Sequence, residues 1–214
     1  MVLAPPHPAG RPFIWGGAAL ALVGLFLTKW LFWPALLFTL FCLYFFRDPE
    51  RVTPTRHHVV VSPADGRVVL VGPAVPPPEL GLGDQPLPRI AVFLSVLDVH
   101  INRAPVAGRV VDQFVVDGGF AAAMKPEAEH NVAAYTVLET TRGTVAVAQR
   151  TGLIARRIVH RAPVGALLTK GERFGLIRFG SRTDVYLPAE KVEAVVGPGD
   201  RVAGGETVIA RWIS

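Results

Sequence analysis

The rhythm of hydrophobic and polar positions changes near residue 50. From Phe13 to Phe46 apolar residues follow one another with a single charge, Lys29, which divides a run ending at Thr28 from one beginning at Trp30. As helices rising 1.5 Å per residue, each run is about 25 Å long, against roughly 30 Å of hydrocarbon in a bilayer. Two such runs back to back predict a helical membrane hairpin, either as two short spans or as a shallow re-entrant loop. Arg11 precedes the pair and Arg47, Arg51 and Arg56 follow it, which places both ends on the cytoplasmic side of a cell membrane. Trp30, Trp33 and Tyr44 suit interfacial positions. No small-residue cleavage site follows a short apolar core, so the expectation is an anchor rather than a cleavable signal.

Beyond the hairpin the runs shorten and become β-branched. Val59 to Val61, Val68 to Val71, Ile90 to Val96, Val110 to Val116, Thr136 to Glu139 and Thr144 to Ala148 read as strands, with Gly and Pro turn signals about every ten residues. That spacing predicts a mainly β barrel or sandwich over residues 51–214, behind a membrane-associated segment over residues 1–50. The proline-rich stretch from Val75 to Pro88 reads as a loop. Two internal echoes support the β assignment. Pro63-Ala64-Asp65-Gly66-Arg67-Val68-Val69 matches Pro105-Val106-Ala107-Gly108-Arg109-Val110-Val111, and Lys170-Gly171-Glu172 matches Gly204-Gly205-Glu206. The Gly-Asp/Glu turns resemble the hammerhead elements of biotinyl and lipoyl carriers. No lysine stands at the tip of a matching hairpin, so the architecture is retained and the carrier role is not.

Composition narrows the partners. Half of the 214 residues are hydrophobic, enough for a substantial core. The net charge of +5 is spread along the chain without a basic run interleaved with aromatics, which argues against nucleic acid and for an anionic membrane surface. Cys42 is the only cysteine and lies in the apolar run, so neither an internal disulfide nor a cysteine zinc site is available. The six histidines, His57-His58 among them, show no ligand spacing with acidic partners, and no metal is expected.

The chemistry concentrates at Arg178-Phe179-Gly180-Ser181-Arg182-Thr183-Asp184-Val185-Tyr186-Leu187-Pro188, where Gly-Ser falls between the strand-like runs Phe174 to Ile177 and Val185 to Leu187. A glycine lets the following serine hydroxyl approach the preceding carbonyl carbon, which makes an intramolecular acyl shift geometrically possible. Thr183 stands where a nucleophile elbow needs its second glycine. On these residues alone, Gly-Ser is equally a turn.

The surrounding motifs make the chain resemble the phosphatidylserine decarboxylase proenzymes of the short bacterial and archaeal type. They are Tyr44-Phe45-Phe46-Arg47-Asp48-Pro49-Glu50-Arg51, Ser62-Pro63-Ala64-Asp65-Gly66, Asp98-Val99-His100-Ile101-Asn102-Arg103-Ala104-Pro105-Val106-Ala107-Gly108, Ala155-Arg156-Arg157-Ile158 and Arg178-Phe179-Gly180-Ser181-Arg182. The resemblance implies autocatalytic cutting at Gly180-Ser181 into a β chain, 1–180, and an α chain, 181–214, which stay together as a heterodimer. It further implies that Ser181 becomes a covalent pyruvoyl group, the Schiff-base carbonyl for the amine of phosphatidylserine, so that no PLP is needed. The products are phosphatidylethanolamine and CO2.

By the same resemblance His100 is the proton donor and Asp65 the acid that orients a histidine during cutting. Longer relatives carry a second histidine where this chain has Arg103, which leaves the cleavage base open between His100 in a dual role and His130 or His160. Arg103, Arg156, Arg157 and Arg178 are candidates for the substrate's phosphate or carboxylate. Two other functions compete: a membrane-tethered β-sandwich binding or carrier module that stays in one piece, and a serine hydrolase using Ser181.

Overall fold

The computed structural model describes residues 4–153, 158–160, 162–178, 181–189 and 191–213, apart from the side chains of Pro126 and His160. The chain divides into two compact units, Met1–Glu50 and Arg51–Ser214.

In the first unit, helices α1 (Arg11–Leu27) and α2 (Lys29–Phe45) pack against each other. Thr28 makes the corner, its side chain accepting from the Trp30 N–H at 3.3 Å. The contact runs along small residues: Gly17, Ala21 and Gly24 of α1 are buried, as are Ala35, Thr39 and Cys42 of α2. A Cβ at Gly24 would lie 2.5 Å from the backbone nitrogen of Phe32, so the approach requires glycine. The outward faces carry Trp15, Leu25, Phe26, Trp30 and Leu37, all exposed. The helical stretch Pro8–Leu27 is long and apolar enough to cross a membrane.

The second unit is mainly β. Its strands in chain order are β1 (Val59–Val61), β2 (Gly66–Ala74), β3 (Leu87–Leu94), β4 (Ile101–Arg103), β5 (Gly108–Val116), β6 (Ala133–Thr140), β7 (Gly143–Arg150), β8 (Ile158–His160), β9 (Leu167–Leu168), β10 (Arg173–Ile177), β11 (Ser181–Tyr186), β12 (Val192–Ala194), β13 (Arg201–Val202) and β14 (Val208–Trp212). An antiparallel sheet of eight runs β13-β2-β3-β11-β7-β6-β5-β9, and two sheets of three run β1-β14-β12 and β4-β10-β8. Val68, Ile90, Val92, Val147 and Val185 of the large sheet pack with Phe174 of β10 and Ile209 of β14 in the main core. A second cluster, around Tyr135, Ala146, Ala148 and Tyr186, takes in Leu80, so the proline-rich stretch is anchored by a short 3-10 turn, Pro78–Leu80.

Both echoes in the sequence have structural counterparts. β2 and β5 open at Gly66 and Gly108, and each carries a register shift, between Val68/Leu70 and between Val110/Asp112. β13 pairs with the start of β2 as β9 pairs with the start of β5. The Gly171 N–H donates to the Ala104 carbonyl and the Gly205 N–H to the Ser62 carbonyl, each at 2.8 Å. Each half also reaches the other's corner: the Val61 N–H donates to the Pro105 carbonyl at 2.9 Å, and the Arg103 N–H to the Pro63 carbonyl at 2.8 Å.

Candidate active site

Ser181 is the first residue of β11, a strand paired on both sides, by β3 and by β7. The run Val185 to Leu187 understates this strand, which extends back through Arg182, Thr183 and Asp184 because those polar residues find partners within the protein. Alternation puts Ser181, Thr183 and Val185 on the face toward the main core and Arg182, Asp184 and Tyr186 on the other. Ser181 is wholly buried, opposite Leu94 in register, and its Oγ finds no hydrogen-bond partner among the described residues. Gly180 lies outside the described residues, as do Arg156 and Arg157.

Topology brings His100 to the same end. β10 is antiparallel to β4, with Leu176 opposite Ile101, and the Ile177 N–H donates to the His100 carbonyl at 3.3 Å. From Ile177 the chain goes on to enter β11 at Ser181. Deeper along both strands, Asn102 Nδ2 donates to Thr183 Oγ1 at 3.1 Å. His100, immediately before β4, and Ser181, at the start of β11, each precede a member of that bonded pair by two residues. The His100 ring is buried, and its Nδ1 lies 2.9 Å from the Asp98 carbonyl oxygen. A carbonyl only accepts, so Nδ1 carries the proton of this bond. The Asp98 carboxylate accepts from the Ser95 N–H at 2.8 Å and the Ser95 hydroxyl at 2.7 Å, which fixes the turn that holds this carbonyl.

Asp65 stands at the corner before β2. Its carboxylate accepts from Arg51 Nη2 at 2.6 Å and from the Gly204 N–H at 2.7 Å. Burial, reinforced by the nearby Asp98 charge, nevertheless holds this carboxyl above the ordinary carboxylate range.

Arg178 follows β10 directly and is half-buried. Arg103 follows Asn102 on β4, so alternation turns it to the opposite face. Its Nη1 donates to the Gly171 carbonyl at 3.0 Å, and with Arg51, Lys170 and Arg173 it lines a cavity of about 390 Å³. His130 is exposed on the 3-10 turn Pro126–His130 and lines a cavity with Tyr135 and Arg150, on the opposite face of the sheet from Ser181. His160 enters β8 opposite Gly175.

Sequence reasoning gave no role to the charged cluster behind Ser181. Asp184, wholly buried, accepts from Arg150 Nε and Arg182 Nε at 2.8 Å, and Glu129 pairs with Arg89 at 2.6 Å and Arg182 at 2.9 Å. Burial disfavours the Asp184 charge, but Arg150 and Arg182 outweigh it and hold the carboxyl below its usual range. Burial pushes the Tyr135 phenol up to about 12 despite Arg150 beside it. The cluster is assembled from β3, β7, β11 and the turn before β6. The sequence signal was available only as period-two spacing of Arg182, Asp184 and Tyr186.

A family model described as phosphatidylserine decarboxylase matches residues 38–210. A phosphatidylserine decarboxylase proenzyme of Granulibacter bethesdensis is 58% identical over 212 residues, covering 98% of this chain and 86% of that protein. Proteins of the same name from Beijerinckia indica and Gluconacetobacter diazotrophicus are 51% and 50% identical, covering 97% and 99% of this chain and 90% and 96% of theirs.

Proposed function

The chain belongs to the phosphatidylserine decarboxylase family, and on that footing we propose that it is a proenzyme that cuts itself between Gly180 and Ser181 and then decarboxylates phosphatidylserine. The observation that carries this reading is the Ser181 hydroxyl, buried without a hydrogen-bond partner among the described residues. Leaving a buried hydroxyl unsatisfied costs about 1–3 kcal/mol, and a structural serine avoids that by turning to a neighbouring carbonyl. A hydroxyl reserved for its own upstream peptide has reason to bear the cost, so Ser181 fits the precursor of a pyruvoyl group.

In the cutting step His100 Nε2 takes the Ser181 hydroxyl proton while Oγ attacks the Gly180 carbonyl carbon. The peptide C–N bond breaks, an ester forms, and the proton passes to the freed amine. Loss of the Ser181 α-proton expels Gly180 as a carboxylate. Water then replaces the nitrogen, which releases ammonia and leaves a pyruvoyl group at the head of the α chain. That group supplies a ketone carbonyl that takes up an amine and accepts the electrons left by departing CO2.

The protein's own residues do the rest. β11 stays clamped between β3 and β7 after the cut, so the two chains remain one heterodimer. His100 holds the proton for the carbon that has lost CO2. Asp65, tied to Arg51 and to the Gly204 N–H, fixes the corner beside β3, and the Asp98 carbonyl orients the histidine ring. Arg178, three residues before Ser181, takes the anionic head group, while Arg103 serves the cationic cavity on the other side of β4.

Loops at the Ser181 end of the large sheet support a lipid substrate. Leu97 after β3, Met124 between β5 and β6 and Leu153 after β7 are 61%, 66% and 68% exposed. Together with the apolar hairpin they favour work at the cytoplasmic face of a cell membrane. Intact mass measurement over time tests the reading. The wild-type chain is expected to give two species, the smaller lighter by one ammonia than a chain beginning with serine. Ser181→Ala stays whole and inactive. An unbroken wild-type chain that converts phosphatidylserine would overturn the mechanism.

A further inference from the structure

We infer that Asn102, held between Gln149 and Thr183, is the positioning residue that sets His100 against Ser181 and thereby governs the rate of self-cutting. The inference rests on the reading of Ser181 given above.

Asn102, Gln149 and Thr183 are wholly buried. Gln149 Nε2 donates to Asn102 Oδ1 at 2.7 Å, and Asn102 Nδ2 donates to Thr183 Oγ1 at 3.1 Å. An amide that presents its oxygen to one neighbour and its nitrogen to another has only one useful orientation. Gln149 and Thr183 are register partners on β7 and β11, so this bridge ties β4 of a small sheet to two adjacent strands of the large one. β10 makes room for it at Gly175, where a Cβ would lie 2.8 Å from Gln149 Nε2 and 2.9 Å from the Val159 carbonyl oxygen.

The bridge is not the most stable way to join two apolar layers. Gln149 Oε1 is buried with no partner among the described residues, and a partly satisfied polar network is worse for stability than an apolar filling. What it supplies is register. The chain passes from one sheet to the other between Ile177 and Ser181, and the bridge fixes the two layers two residues deeper, about 6.8 Å along the strands. A slip by one residue on either strand would turn Asn102 or Thr183 to the opposite face. With Asn102 and Thr183 bonded, His100 and Ser181 remain the next pair outward.

The test follows freshly synthesised full-length chain by intact mass from pH 5.5 to 8.5, with each change also placed in the uncut Ser181→Ala background to measure folding. Thr183→Val removes the acceptor at nearly constant volume and is expected to slow cutting about tenfold or more, whereas Thr183→Ser restores the rate to within about threefold. The wild-type rate should level off above the imidazole pKa. The Thr183→Val rate should keep climbing with pH, because hydroxide replaces a misplaced His100. If Thr183→Val does not fold in the uncut background, Gln149→Met removes the other end of the bridge without touching β11, and the same slowing is expected. Cutting by the folded variant at the wild-type rate with the wild-type pH profile overturns the inference, as does a Thr183→Ser protein as slow as Thr183→Val. A wild-type chain that never cuts sinks the reading of Ser181 and this inference together, and it shows in the first sample.

Discussion

Asp184 and Ser181, three residues apart on one strand, face opposite sides of the sheet, one into a cage of arginines and the other toward the main core. Replacing Asp184 with Asn leaves Arg150 and Arg182 buried without their shared counter-charge. Breaking a buried pair in this way costs about 3–5 kcal/mol, so a large fall in melting temperature is expected in the Ser181→Ala background. The pH dependence has a definite sign. The folded-state pKa of Asp184 is depressed, so its contribution is fully present above the unfolded value of about 3.9 and is lost as pH falls through the lower folded one. The acid limb of the stability curve should therefore be shallower in Asp184→Asn than in the parent, as thermal melts between pH 2 and 6 would show. Little of this was legible in the sequence, where Arg182, Thr183 and Asp184 lay outside the strand-like run Val185 to Leu187 and only their period-two spacing with Tyr186 pointed to a strand. The sequence does not say which distant arginines a strand will meet, and those partners are what keep this segment in the sheet.

At the scale of elements, the echoed Pro-x-x-Gly corners were legible because each ends in a glycine that opens a strand. Gly66 shows why the residue type is forced. Its φ is +147°, and a Cβ there would stand against the Phe93 carbonyl oxygen at 2.0 Å. Gly66→Ala must push β2 off the end of β3, next to Leu94, the register partner of Ser181. The expected result is a loss of about 2 kcal/mol or more in thermal unfolding, with slower cutting because the edge that carries Ser181 moves. An alanine variant with parental stability and cutting rate would show that the corner yields without cost. The crossing of the two halves was not legible, since it consists of backbone bonds such as Val61 to Pro105 and Arg103 to Pro63 that leave no mark on residue type. Asn102 and Thr183 were in view as letters of two motifs, but their bond joins residues 81 positions apart.

For the molecule as a whole, the two-unit division falls at the change of rhythm near residue 50, and the helical hairpin was visible in composition alone. The loops around the Ser181 end were not, because isolated apolar residues in loops carry no periodic signal. Asn131 shows how they are gathered: its Nδ2 donates to the Ala121 and Thr151 carbonyls, each at 2.8 Å, and so ties the Met124 loop to the end of β7 from which Leu153 projects. On the proposed reading of Ser181, a diacyl substrate has tails that so buried a position does not accommodate, and the head group reaches it while the tails stay in lipid. Apolar side chains on separate loops at that end would let the rim sink into the bilayer and shorten the path. Exchanging Leu97, Met124 and Leu153 together for serine should raise the apparent KM on phosphatidylserine vesicles about tenfold or more, since each buried aliphatic side chain contributes on the order of 1 kcal/mol or more at an apolar boundary. Self-cutting should be unchanged, and so should kcat on a short-chain phosphatidylserine dispersed as monomers, because neither requires a membrane. An equal loss on vesicles and on monomers would place these residues in the folding of the site rather than at its contact with lipid.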